Sequence, residues 1–201
     1  MTLESRPLGV LLDELEAKTP SPGGGAVASV VGALATSLGN MVLAYSTSSR
    51  KLAEHRPVLE DASAKLSRAR DILLRLADED AAAYAHLNAT QRLPADDPRR
   101  AEELPAAALA ATQAPLSVLA TCSDLLRLLE SLVPITNRYL ASDLAIAAVL
   151  ADAAACGAHW NVRVNLPLLE ELGLQAGIAA EADALRAEAG PRRVRIEEGC
   201  G

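Results

Sequence analysis

Aromatic residues are scarce in this sequence. Its 201 residues include one tryptophan, three tyrosines and no phenylalanine, although half of the residues are hydrophobic. Residues that favour strands, the β-branched and aromatic ones, are too few for an all-β or a doubly wound α/β fold. A chain of this length can bury roughly 70% of its extended surface. We therefore expect one sizeable helical core built from leucine, valine and alanine.

Cysteine and positive charge are also limited. Cys122, Cys156 and Cys200 form an odd set without CxxC spacing, so no disulfide framework is expected. The N-terminus lacks a basic region before an apolar core, which predicts a cytoplasmic protein without a secretory signal. A net charge of −7 argues against nucleic-acid binding, because phosphates need a surplus of lysine and arginine.

Metal and membrane patterns are missing or weak. The three histidines lie far apart and form no ExxH or HExxH pair, so no metal site is expected. The segment from Gly24 to Tyr45 has no charge and is long enough to cross a membrane. It is rich in glycine, alanine, serine and threonine and contains Asn40. We interpret it as a central helix, buried nearly all round, and expect no membrane contact.

Helical periodicity predicts five to six helices in one domain over residues 1–189. The first is expected at about 6–18 with Ser5 as its cap, and the glycine-led helix follows. Further helices are expected at about 53–93, from the 94–98 loop to about 131, at about 141–164 and after Pro167. Pro105 and Pro115 should kink or break the fourth. Residues 190–201 are predicted to form a frayed, flexible tail.

Two of these helices, the glycine-led one and the one from about 141, are nearly uncharged. A bundle of this size can enclose one such helix, so another subunit is expected to cover the second. The sequence thus predicts an all-α, single-domain bundle that forms a homodimer or a higher assembly.

Four short blocks contain residue types that carry chemistry. The first, Ser21-Pro22-Gly23-Gly24-Gly25, opens a helix whose free N–H groups attract carboxylate or phosphate oxygens, although glycines also suit a tight turn. The second pairs Asp80 with Tyr84 on one helical face and continues to Arg92. Its carboxylates, residues 78–80, are equally typical of a solvated acidic run.

The third and fourth blocks flank the second uncharged helix. The third contains Asn137, Ser142 and Asp143, of which Ser142 also suits an N-cap and Asp143 complements a helix dipole. The fourth places two amides, Asn161 and Asn165, four residues apart beside Trp160. Buried amides also commonly join helices without any binding role.

Together and in this order, the blocks resemble the cyclodeaminase/cyclohydrolase family, from about Leu8 to Leu172. That family comprises the C-terminal domain of formiminotransferase-cyclodeaminase and free-standing bacterial methenyltetrahydrofolate cyclohydrolases. The resemblance implies an all-helical, dimer-forming domain that acts on the one-carbon unit of tetrahydrofolate. It implies no metal, and no cofactor beyond the folate substrate.

Both family reactions need a group that moves a proton near neutral pH. Asp80 or Asp143 in an apolar pocket would serve as general acid/base, and we favour Asp80 because Tyr84 can hold a ring beside it. The expected substrate-binding residues are Pro22, Gly23, Gly24, Gly25, Tyr84, Arg92, Asn137, Ser142, Asn161 and Asn165. Arg50, Lys51 and Arg92 are candidates for the anionic folate tail. All four aromatic residues lie in or beside the blocks and are expected to line the pocket.

Four positions depart from the family's usual pattern. Ala26 replaces a serine, Gln91 an aromatic residue, Ala95 a lysine and Tyr139 an asparagine. The lysine matters most, because a cation there could bind the substrate tail or stabilise developing negative charge. The alternative hypothesis is therefore a non-catalytic or divergent folate- or ligand-binding protein of the same fold. The sequence does not separate ammonia release from water addition.

Overall fold

The computed structural model describes residues 2–201, and within them the chain forms six α-helices and no strand. This confirms the predicted all-α, single-domain fold. Short 3-10 turns lie before, between and after several helices. The helices are α1 (Leu8–Glu16), α2 (Gly24–Thr47), α3 (Arg56–Gln91), α4 (Pro98–Leu132), α5 (Ala141–Asn165) and α6 (Gln175–Cys200).

Helix α2 lies against α3 and α5, α4 packs on both of those helices, and α6 covers α4 and α5. Leucines fill the α3 and α4 contacts, whereas the buried face of α5 is almost entirely alanine. Alanine lets the α5 backbone approach its neighbours closely. Among residues 2–201, no aromatic side chain is buried in the core, as the composition predicted.

Helices α2 and α5 run antiparallel and define two ends of the bundle. Gly24 lies beside the Asn161 amide, and a Cβ on Gly157 would touch that of Ala28. At the other end, the Asn137 N–H donates to Ser46 Oγ (2.9 Å). We call these the Gly24 end and the Ser46 end. They are about 33 Å apart along α2, because 22 residues separate them at roughly 1.5 Å each.

Several predicted helix boundaries are wrong. Helix α1 begins after Pro7, and no side chain caps it. Helix α4 continues through both Pro105 and Pro115, since it is held by α3 on one side and α5 on the other. The missing backbone donors therefore do not break it.

The predicted tail is also wrong. Residues 190–200 continue α6 through Pro191. Ile196 is fully buried, and Arg192 and Arg195 bind the Glu130 carboxylate of α4 at 2.6 and 2.5 Å. Those guanidinium groups lower the pKa of Glu130. Single-sequence patterns miss such anchoring because the partners lie more than 60 residues away.

Helix α2 is not buried all round, contrary to prediction. An uncharged stripe of Val27, Leu34, Met41 and Tyr45 is exposed along it. A second stripe on α5 contains Ile146, Val149, Trp160 and Val164. We call the two stripes together the apolar face. By length and composition, α2 and Arg138–Leu169 could each cross a membrane, a property shared by core helices of soluble proteins.

Candidate functional site

A pocket of about 320 Å³ opens at the Gly24 end, where α2 begins. The loop before α2 and the helices α3, α4 and α5 contribute its walls. Its lining residues are Pro20, Ser21, Gly23, Gly24, Gly25, Asp80, Ala81, Tyr84, Ala111, Asn161, Val164 and Asn165. Seven of the residues predicted to be catalytic or to bind substrate therefore meet in one cavity, although they come from three separate blocks.

The glycine block lets the Asp80 carboxylate lie directly on the α2 backbone. A Cβ on Gly25 would overlap both carboxylate oxygens of Asp80. The neighbouring Ala26 N–H hydrogen-bonds to the same carboxylate. This N–H belongs to the first turn of α2, where backbone donors have no partner within the helix. The glycines thus serve close approach between two helices as well as the turn.

Burial gives Asp80 unusual acid–base properties. Removal of its carboxylate from water raises its pKa from 3.8 to about 6, although the Ala26 N–H acts in the opposite direction. Desolvation dominates because α2 has no charged residue to offset it. Asp80 can therefore gain and lose a proton near neutral pH.

Two asparagines of α5 form the opposite wall. The Asn161 Nδ2 donates to the Gly157 carbonyl (2.9 Å), and the Asn165 Nδ2 donates to the Ala111 carbonyl of α4 (2.8 Å). These bonds fix both amides within the pocket wall. The Asn161 Oδ1 lies 3.6 Å from the point where a Cβ on Gly24 would be, so it faces the start of α2.

The third block does not join this pocket within one chain. Asn137 caps a 3-10 turn at the Ser46 end, where its Oδ1 accepts from the Tyr139 N–H (3.1 Å). Ser142 and Asp143 lie in the first turn of α5 at that same end, and Ser142 is not the N-cap, because the helix begins one residue earlier. Within one chain, Asp143 therefore lies at the opposite end from the Asp80 pocket, and its catalytic role stays a prediction.

Two further expected residues lie outside the cavity lining. Arg92 is exposed just beyond the end of α3. Pro22 belongs to the loop before α2, but its neighbours Ser21 and Gly23 line the cavity instead.

The aromatic hypothesis holds for one residue in four. Tyr84 lines the pocket, one helical turn from Asp80. Trp160 points to solvent with the Arg163 guanidinium 6.0 Å from its ring centre. Tyr45 and Tyr139 lie at the Ser46 end, and Tyr139 is 94% exposed. The expectation that all four rings line one chain's pocket is wrong, since sequence proximity to a block does not set side-chain direction.

Sequence reasoning missed the backbone and small-residue contributions. The Ala26 N–H and the Ala111 carbonyl both anchor site side chains, and neither has a side-chain signature. Within residues 2–201, no three histidine, cysteine, aspartate or glutamate side chains are grouped as a metal site would require.

Comparison with known proteins places this geometry in context. The family model for formiminotransferase-cyclodeaminase matches residues 7–184. A crystal structure of formiminotetrahydrofolate cyclodeaminase from Thermotoga maritima superposes with a TM-score of 0.91 and 28% identity, covering 98% of this chain and 96% of that one.

Curated relatives differ in length. The methenyltetrahydrofolate cyclohydrolase of Methylorubrum extorquens is 29% identical over 93% of this chain and 92% of its own length. The formimidoyltransferase-cyclodeaminase of Sus scrofa is 30% identical over 94% of this chain, and that of Gallus gallus is 28% identical over 82%. The chain spans 36% and 31% of the length of these two relatives.

Proposed function

The chain belongs to the formiminotransferase-cyclodeaminase family, and we propose from this that it is an enzyme acting on the one-carbon unit of tetrahydrofolate. The reaction is formimidoyltetrahydrofolate cyclodeamination or methenyltetrahydrofolate hydrolysis. The observation that carries the proposal is the Asp80 carboxyl, held on the α2 backbone with a pKa of about 6.

The proposed chemistry uses Asp80 first as a base and then as an acid. In cyclodeamination, N10 attacks the formimino carbon, its proton passes to the Asp80 carboxylate, and the departing amine takes that proton and leaves as ammonia. In hydrolysis, water attacks the methenyl carbon and Asp80 takes one of its protons. As the C–N bond breaks, Asp80 returns that proton to nitrogen, and the remaining hydroxyl proton passes to solvent while the formyl carbonyl forms. A carboxyl with a pKa near the working pH suits both directions.

The pocket wall supports recognition of a flat, polar ring system. Tyr84 offers an aromatic surface beside Asp80, while Asn161 and Asn165 offer amide groups to a pterin edge. Within one chain, the pocket lining contains no lysine or arginine for the anionic tail of a folate. The tail is expected to extend beyond the cavity.

An absorbance assay of the methenyltetrahydrofolate chromophore tests the function. Appearance of the chromophore from formimidoyl substrate identifies a cyclodeaminase, and accelerated loss of added chromophore identifies a cyclohydrolase. Asp80→Asn removes the proposed acid/base and is expected to show neither reaction above a weak background. Saturable folate binding with neither reaction would instead establish the alternative of a non-catalytic folate-binding protein.

We further propose that the active protein is a homodimer joined through the apolar face. The two helices form a surface about 36 Å long and about 20 Å wide, or roughly 700 Å². A standard interface buries about 800 Å² per partner. The stripes are uncharged and follow the heptad-like spacing of packed helices (27, 34, 41 and 146, 149, 160).

A two-fold axis through the middle of both stripes would join the two ends of the bundle. Ala28 is level with Gly157, so Leu34 lies within one turn of the level of Ala153. An axis at Leu34 and Ala153, perpendicular to the helices, pairs each stripe with its own copy in the antiparallel sense. A residue eleven positions after either centre in one subunit then meets the residue eleven positions before the same centre in the partner.

This pairing brings the partner's Tyr45 to Gly23 and the partner's Ser142 to Val164. Gly23 and Val164 both line the pocket. The partner's Asn137 and Asp143 would follow, together with its basic Arg50 and Lys51. The third block and the cations for the folate tail would then reach the Asp80 pocket from the second subunit.

The setting of this chemistry follows from the same relatives. They are folate-metabolism enzymes, which indicates a soluble protein. We propose a cytoplasmic enzyme whose partners are its folate substrate and its own second copy, with no nucleic acid, no membrane and no cofactor beyond that substrate.

A further inference from the structure

A turn near the N-terminus covers the junction on which Asp80 rests. Residues Leu3–Ser5 form a 3-10 turn, and Leu3 is 5% exposed. Its side chain forms a small apolar cluster with Ala26 of α2 and Ala77 of α3. Leu3 does not line the pocket, so substrate contact does not explain its burial.

The same turn is fastened by a carboxylate that the proposed reaction does not use. The Leu3 backbone N–H donates to Asp78 Oδ1 (2.9 Å). The first N–H of a helical turn has no partner within that turn, so Asp78 satisfies it from α3. Asp78 and Asp80 lie on different sides of α3, because two residues correspond to about 200° of helical rotation.

Leu3 covers Ala26 and Ala77, and both of these residues lie next to Asp80. The Ala26 N–H binds the Asp80 carboxylate, and Ala77 precedes Asp80 by one turn. We infer that Leu3 and Asp78 are positioning residues: they clamp the α2 start onto α3 and keep water from the Ala26–Asp80 contact. This inference rests on the proposed function, because it assigns the two residues a task in the same site.

The charged surroundings of Asp80 are simple enough for a pH test. The α2 helix has no charged residue, and the α4 and α5 residues lining the pocket are uncharged. The other titratable groups are Tyr84 in the pocket, Asp78 and Glu79 on α3, and Glu4 and Arg6 on or beside the covering turn. Removal of the Leu3 side chain is therefore expected to change the pKa of Asp80 mainly because water reaches its carboxylate.

The test compares Leu3→Ala and Asp78→Ala with wild type in the full chain. Activity that needs the Asp80 carboxylate should rise with pH through a midpoint of about 6 in wild type. Both variants should move this midpoint toward the ordinary carboxyl range and lower kcat by about tenfold, with KM nearly unchanged. Leu3→Ile should restore the wild-type profile. The matched control is Leu66→Ala, a buried α3 leucine remote from the pocket, which should leave the midpoint unchanged.

A readout without turnover separates this inference from the proposed function. Carbon-13 NMR titration of the Asp80 carboxyl should give a lower midpoint in Leu3→Ala and Asp78→Ala than in wild type. If wild type shows no folate turnover but the NMR midpoint moves, the function fails and the positioning role stands. If both variants titrate as wild type does, the positioning role is overturned. Should Leu3→Ala fail to fold, Asp78→Ala is compared with Glu79→Gln, which removes an adjacent carboxylate that does not bind the turn; a midpoint lowered no further in Asp78→Ala than in Glu79→Gln also overturns the positioning role.

Discussion

At the scale of single residues, the site depends on the absence of a side chain at Gly25. Gly25→Ala places a methyl group on the Asp80 carboxylate and must displace it. Because a shift of about 1 Å in a catalytic group can cost roughly a hundredfold, we expect at least that loss in kcat. Turnover of the folate substrate, measured by chromophore absorbance, checks this.

Gly24 supplies the matched control. A Cβ there would lie 3.6 Å from the Asn161 Oδ1, which is ordinary contact. Gly24→Ala should therefore keep most of the activity. Equal losses in the two variants would show that glycine serves the α2 turn rather than the approach of Asp80.

Asp80 itself should limit stability while it supports chemistry. Its pKa of about 6 in the folded protein lies above the ordinary 3.8, so the folded state binds a proton more tightly than the unfolded chain. Stability is therefore lost as pH rises from about 4 to about 6, by at most about 3 kcal/mol at pH 7. Asp80→Asn should raise Tm at pH 7, with a gain that disappears near pH 4, and lower kcat about a hundredfold or more.

Thermal unfolding of Asp80→Asn across this pH range measures the effect. Glu79→Gln, which removes the adjacent exposed carboxylate of α3, is the control and should show little change. A Tm difference that stays constant from pH 4 to pH 7 would contradict a raised pKa at Asp80.

Side-chain chemistry in the site was more predictable than its backbone chemistry. Asp80 and Tyr84 lie four residues apart on one helix, and this spacing alone brings them to one face. The Ala26 N–H and the Ala111 carbonyl act through atoms that every residue has. No residue type marks them, so only the folded chain reveals them.

At the scale of elements, α6 shows what local pattern cannot predict. Gly190 and Pro191 look like the start of a loose tail, yet Ile196 is fully buried and Arg192 binds Glu130 on α4. The contacts that hold this segment are distant in sequence. Conversely, α3 was predicted well, because its 36 residues contain no internal breaker beyond Pro57 at the first turn.

The end of α6 is therefore expected to support the fold. Ile196→Ala removes a buried side chain and should lower the free energy of unfolding by about 2–5 kcal/mol. Val194→Ala, on the exposed side of the same helix, should cost less than about 1 kcal/mol. Urea titration of both variants measures the difference. Equal, small losses would mean that residues 190–200 add nothing to the cooperative core.

At the scale of the whole molecule, the family's motif blocks divide between the two ends of the bundle. Asp80 and the glycine loop lie at the Gly24 end, while Asn137 and Asp143 lie at the Ser46 end, about 33 Å along α2. A linear sequence does not show which end of an antiparallel helix pair each block occupies. The exposed, uncharged stripes of α2 and α5 offer the geometric means to reunite them in a dimer.

Mixed dimers test whether two subunits share each site. Asp80→Asn and a double variant, Asn137→Ala with Asp143→Asn, should each be weakly active alone, because every site lacks one block. If the sites are shared, random mixing yields half hetero-dimers, and each has one intact and one doubly altered site. Activity should then recover to about a quarter of wild type after the subunits are unfolded and refolded together.

Sedimentation and a matched mixture complete the experiment. Wild type should sediment as a dimer at micromolar concentration, and Leu34→Glu should yield a monomer, because it places a charge at the centre of the apolar face. Asp80→Asn mixed with Gly25→Ala is the control, since each lesion lies at the Gly24 end of its own subunit and no hetero-dimer contains an intact site. If the protein is a dimer but the mixture of Asp80→Asn with the double variant stays as inactive as this control, a shared site is contradicted. Each active site would then consist only of residues at the Gly24 end of one subunit.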